Sequence, residues 1–121
     1  MVADLTARLQ HRGWRITPQR RAVIDALAGQ GAQAILNLSA SPFTIGKAAR
    51  RAEMMGILAR KHRLPIFYCN AVGGNDQLIF DGNSLAINAE WALQARLAPF
   101  AEDLAIVDFD PDSPARARHP A

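Results

Sequence analysis

Ala34-Ile35-Leu36-Asn37-Leu38-Ser39-Ala40-Ser41-Pro42-Phe43-Thr44-Ile45-Gly46-Lys47 is the stretch whose reading decides the fold. It opens as an apolar run, becomes small and polar from Asn37 to Ser41, and breaks at Pro42. A helical pattern follows from Lys47 to Arg60, then a second apolar run, Leu64 to Cys69. Strand, polar strand end, helix and next strand are the grammar of an α/β layer, in which functional groups gather past the carboxyl ends of strands. Ala32 to Leu38 reads as a strand buried on both faces. If the chain stays extended through Ser41, alternation places Asn37, Ser39 and Ser41 on one side. Such a triplet can donate to a substrate or hydrogen-bond its own loop, and spacing leaves both open.

In the helix, Ala48, Ala52, Met55 and Leu58 or Ala59 form the apolar stripe. Lys47, Arg50, Arg51, Arg60 and Lys61 are expected outside it. Pro65 opens the next strand, and Cys69 reads there as a buried, inert thiol. Val72-Gly73-Gly74-Asn75-Asp76 reads as a turn, without the lysine of a phosphate loop. Leu78 to Phe80 is a short strand, Asp81-Gly82-Asn83 a tight turn, and Ser84 to Asn88 its hairpin partner. Glu90 to Leu97 is helical by propensity. Leu104 to Phe109 alternates as a last strand, and residues 111–121 form a frayed tail.

Working towards the amino terminus, Leu5 and Leu9 suggest a short helix ending near Gly13. Thr17-Pro18 starts another that runs to about Ala28, with Val23, Ile24 and Leu27 on one face and Gly29 and Gly31 as its stop. Residues 1–30 hold five arginines against two aspartates, whereas the acids and bases of residues 31–121 cancel. The chain therefore divides into a basic helical segment (1–30), an α/β unit (31–110) and the tail. Arg15, Arg20 and Arg21 are the candidates for phosphate contacts, with a solvated helix face as the other reading.

The chain has 121 residues, half of them apolar and one of them cysteine. That length suits one domain burying roughly 65% of its unfolded surface. A lone cysteine excludes an internal disulfide and favours the cytoplasm. No apolar run approaches the roughly 20 residues that span a bilayer, and the opening MVADLTARLQHRGWR does not read as a secretory signal. His11, His62 and His119 lack ligand spacing, so neither a metal nor a cofactor is expected.

Two resemblances attach to these residues. Arg12-Gly13-Trp14-Arg15-Ile16-Thr17-Pro18-Gln19-Arg20-Arg21, continuing to Leu27, resembles the opening of ferric-uptake-regulator-type transcription factors, and implies the start of a winged-helix DNA-binding domain. It ends near Ala28. The second covers about residues 29 to 110. Gly31 to Phe43, then Gly46, Lys47 and Arg51, then Asn70 to Ser84, then Phe100-Ala101-Glu102-Asp103, resemble the amidase domain of glutamine-dependent NAD+ synthetases, within the nitrilase or carbon–nitrogen hydrolase superfamily.

That resemblance implies an α/β fold, a partial nitrilase-like αββα sandwich with an N-terminal helical segment. It implies descent from a unit that releases ammonia from glutamine using a Cys nucleophile, a Glu base and a Lys. In the family these precede the residues matched here, and counting back from Ser39 and Ser41 to the expected cysteine reaches Trp14 to Ile16. Ser39 and Ser41 match the neighbourhood that contacts glutamine, as vestigial binding residues. Gly73, Gly74, Asp76, Asp81 and Gly82 match structural turns. The expectation is a fragment inactive alone, with glutamine a substrate only of the complete enzyme. The alternative is a small DNA-binding regulator; neither DNA nor a membrane is an expected partner. A partial sandwich leaves sheet surface uncovered, through which the chain is expected to self-associate.

Overall fold

The computed structural model describes residues 18–111. The expected helix around Leu5 and Leu9, Arg15, and all but the first residue of the expected tail lie outside them. The first element is α1 (Pro18–Gly29), closed by Gly31 at a φ of 82°, a value glycine adopts without steric cost. Next come β1 (Ile35–Ser39) and α2 (Lys47–His62). Strands β2 (Ile66–Asn70), β3 (Val72–Asn75), β4 (Leu78–Asp81), β5 (Leu85–Ile87) and β6 (Leu93–Arg96) complete the set.

A four-stranded sheet runs in the order β1-β2-β5-β6, and β3-β4 forms a separate two-stranded ribbon. Strands β1 and β2 are parallel, from Ile35 opposite Ile66 to Ser39 opposite Asn70. Parallel neighbours need a crossover, and α2 supplies it. The remaining pairs are antiparallel. The core lies where α2 crosses the sheet: Met55, Leu58 and Ala59 meet Ile35, Ile66, Tyr68, Leu85 and Ile87. Helix α1 adds Ile24 and Ala28 at the margin, and Asp25 reaches α2 through Lys61 at 3.7 Å and His62 at 3.1 Å.

Several expectations are corrected. Strand β1 is not buried on both faces. It is an edge strand with one neighbour, and Leu36 and Leu38 are 74% and 82% exposed on the face away from α2. Cys69 is likewise exposed, because alternation along β2 turns Ile66, Tyr68 and Asn70 inward and leaves Cys69 outside. Val72 to Asn75 is strand rather than turn, and β4 pairs with β3 instead of β5.

Glu90 to Leu97 is a turn and a strand. Asn88 Oδ1 accepts the backbone N–H groups of Glu90 and Ala92 at 3.0 and 2.8 Å, closing a tight reversal where a helix would begin. Trp91, at a φ of 66°, sits in that reversal. Residues 102–110 contain no strand; Leu104 and Ile106 are 85% and 89% exposed, and the edge-to-face stack of Phe109 on Phe67 (6.1 Å) ties the segment's far end to the sheet.

Candidate functional site

The polar residues at the carboxyl ends of β1 and β2 converge. Ser39 Oγ donates to Asn37 Oδ1 at 2.8 Å, so part of the triplet is satisfied within the strand. Ser41 turns instead towards α2, where Arg51 Nη2 donates to its Oγ at 3.1 Å. Arg51 corrects the expectation of a solvated basic face: it is 6% exposed, and its guanidinium lies 4.9 Å above the Tyr68 ring. A buried cation costs free energy unless paired or bonded. Here the aromatic face and the serine supply part of that compensation.

Tyr68 completes the group. Burial pushes its phenol above the usual value of 10.0, and the Arg51 charge and the nearby Ser41 and Ser39 hydroxyls oppose that shift. Those hydroxyls stand close to the phenol without forming a well-aligned hydrogen bond. Arg51 Nη1 and the Tyr68 hydroxyl are both buried without a hydrogen-bond partner among the described residues. Unused donor capacity at a strand end suits a polar ligand carrying acceptors.

Asn70 holds the loops in place, a role the sequence reading missed. Its Oδ1 accepts the N–H of Ser41 at 2.8 Å, and its Nδ2 donates to the carbonyls of Ser41 and Gly82 at 3.3 and 3.1 Å. Its own N–H donates to Ser84 Oγ at 2.9 Å. Asp81, fully buried, accepts Asn83 Nδ2 at 2.6 Å. The β3-β4 ribbon braces the same loop, since Phe43 N–H donates to the Ile79 carbonyl at 2.7 Å. Lys47 Nζ donates to the Pro42 carbonyl at 2.8 Å.

The turn residues fall around this brace. Asp76 turns the ribbon at a φ of 54°, while Gly73 and Gly74 lie in exposed β3. Gly82 combines a φ of 66° with Val72 Cγ2 lying 2.8 Å from where a Cβ would be, so only glycine fits without displacement. Arg20 and Arg21 lie in the first turn of α1, and their side chains are outside the described ones. Helix α1 leads into β1, and the next helix, α2, packs across the sheet through Met55, Leu58 and Ala59 rather than against α1 as the second helix of a helix-turn-helix.

The described residues hold no group of three or more His, Cys, Asp or Glu able to bind a metal. Cys69 lies on the opposite face of β2 from Tyr68, so it cannot attack anything held by Ser41 and Arg51. Among the described residues, the strand-end group consists of hydrogen-bond donors and acceptors suited to holding a polar molecule. No described helix is long and apolar enough to cross a membrane.

A parallel β1-α2-β2 unit extended by antiparallel strands, with its polar groups at the strand ends, matches part of the α/β fold of nitrilase-superfamily amidases. An amidase of that superfamily from Nesterenkonia AN1 superposes with a TM-score of 0.56 over 63% of this chain and 29% of its own, at 23% identity, which speaks to fold alone. Sequence narrows the class: most of this chain is homologous to a segment of the glutamine-dependent NAD+ synthetases. The synthetase of Synechocystis is 43% identical over 84 residues, 69% of this chain and 15% of that protein. The structure of the Acinetobacter baumannii enzyme, solved with adenosine diphosphate, matches 74% of this chain and 17% of its own with a TM-score of 0.70 and 37% identity. No family model matches. The chain thus spans about 15% of the length of the curated relatives it matches, and is a partial unit of that family's α/β architecture.

Proposed function

We propose that this chain carries the substrate-side wall of a glutamine amidase unit and, alone, binds a glutamine-like amide without hydrolysing it. The observation that carries the reading is the Ser41–Arg51–Tyr68 group, with buried donors to spare, at the strand ends. Ser41 and Ser39 offer hydroxyls, Arg51 a fixed positive charge, and Asn70 the rigid loop that presents them. In the complete relatives, whose name makes them glutamine-dependent, catalytic groups from other parts of the fold would complete this wall. The lone cysteine suits a cytoplasmic protein.

Titrating the full chain with glutamine while following backbone amide resonances tests the proposal. Shifts concentrated at residues 39–43 and 70, saturating in the millimolar range and abolished by Ser41→Ala, support it. Absence of localised shifts, or shifts unaltered by Ser41→Ala, overturns it.

A further inference from the structure

Among the described residues, two features have strand-forming chemistry and a strand edge left unpaired. The outer edge of β1 is open, and its sequence, Ile35-Leu36-Asn37-Leu38-Ser39, contains none of the charges, prolines or bulges that protect edges. The segment Leu104–Phe109 alternates as a strand should; among the described residues it joins no strand, and although Phe109 packs on Phe67 of the same copy, Leu104 and Ile106 project outward. Each feature lacks what the other supplies.

We infer that two copies of this chain associate by arm exchange, the segment Leu104–Phe109 of each adding beside β1 of the other. The receiving place is already shaped. Between α1 and β1 runs a cleft of about 430 Å³, lined on one side by Val23 and Leu27 and on the other by Leu36 and Leu38. It is apolar and flanks the open edge, the setting in which an added strand finds backbone partners along the edge and pockets for alternate side chains.

Size favours exchange over simple face-to-face stacking. A sheet of four strands, three to five residues long, offers a face of at most roughly 19 by 17 Å, or ~300 Å². A stable interface needs about 800 Å² from each partner. An extended arm of residues 102–110, reaching about 30 Å, makes up much of the difference.

This goes beyond the proposed amide binding, and its test is independent of any ligand. Size-exclusion chromatography with light scattering on the full chain, from about 5 to 100 µM, should give the mass of two copies. Leu104→Asp with Ile106→Asp should give the mass of one copy, with the dissociation constant raised at least tenfold, and Leu38→Lys should do the same. These side chains are exposed in the single copy, so circular dichroism of the variants should match the parent. Excess synthetic peptide spanning residues 101–110 should dissociate the unaltered dimer, a result that does not depend on any variant folding. A single-copy mass throughout, a dimer indifferent to both variants and peptide, or larger assemblies that persist in the arm variant would each overturn the inference.

Discussion

Gly56 of α2 faces Trp91, and replacing it with alanine gives the sharpest energetic prediction. A Cβ at Gly56 would fall inside the van der Waals envelope of the Trp91 indole, overlapping Nε1 and Cδ1 and lying 2.7 Å from Cε2. Trp91 is 37% exposed, so roughly 150 Å² of it is covered, worth about 4 kcal/mol at about 25 cal/mol per Å². Expelling the ring forfeits most of that; merely shifting it costs about 1–3 kcal/mol as overpacking. Alanine returns about 1 kcal/mol through helix propensity. The net expectation is a loss of up to about 3 kcal/mol, and a fall in Tm of about 4–8 °C for each kcal/mol lost.

A double-mutant cycle isolates the contact. In a Trp91→Ala background the clash disappears, and Gly56→Ala should then stabilise by about 1 kcal/mol. Urea unfolding of the four proteins measures each step, and red-shifted tryptophan emission should accompany the Gly56→Ala loss. If Gly56→Ala were neutral or stabilising in the parent protein, the packing of the Asn88–Ala92 reversal against α2 would be refuted.

Two further outcomes follow from the same structure. Burial lowers the pKa of His62 below its ordinary 6.5, with Lys61 adding to the effect and Asp25 opposing it; the folded state therefore favours neutral imidazole, so the stability it contributes is present above pH 6.5 and is lost as pH falls. Tm measured from pH 7.5 to 5 should decline, and His62→Gln should flatten that decline. Asn70→Ala strands the Ser41 N–H and the Gly82 carbonyl together, so it should cost at least about 2–4 kcal/mol by the penalty for unmet buried groups, with amide exchange accelerated first at residues 40–43.

Much of this architecture was legible because β1, α2 and β2 each carry a clear period and clear boundaries. The resemblance to the synthetases rested on the same residues. Arg51 was misread because it sits among Lys47 and Arg50, which look like one solvated face. Its spacing from Met55 and Leu58, four and seven residues on, places it on the buried stripe, so the signal was present. The exposure of Leu36, Leu38 and Cys69 was not legible, because an apolar run has the same composition whether or not another layer covers it. Glu90 to Leu97 went wrong for a different reason. Helix propensity is weak beside a buried Asn88 that caps a reversal with two side-chain hydrogen bonds. Leu104 to Phe109 has a strand's pattern, but a strand also needs a neighbouring strand, and none adjoins it among the described residues.

The proposed function has this chain, alone, binding a glutamine-like amide without hydrolysing it. Incubating the full chain with glutamine and following glutamate and ammonia tests it most directly. The account predicts no release above a protein-free control, and no difference between the parent chain and Cys69→Ala. Steady turnover that disappears on Cys69→Ala would contradict it, because it would place a working nucleophile on the face opposite the Ser41–Arg51–Tyr68 group.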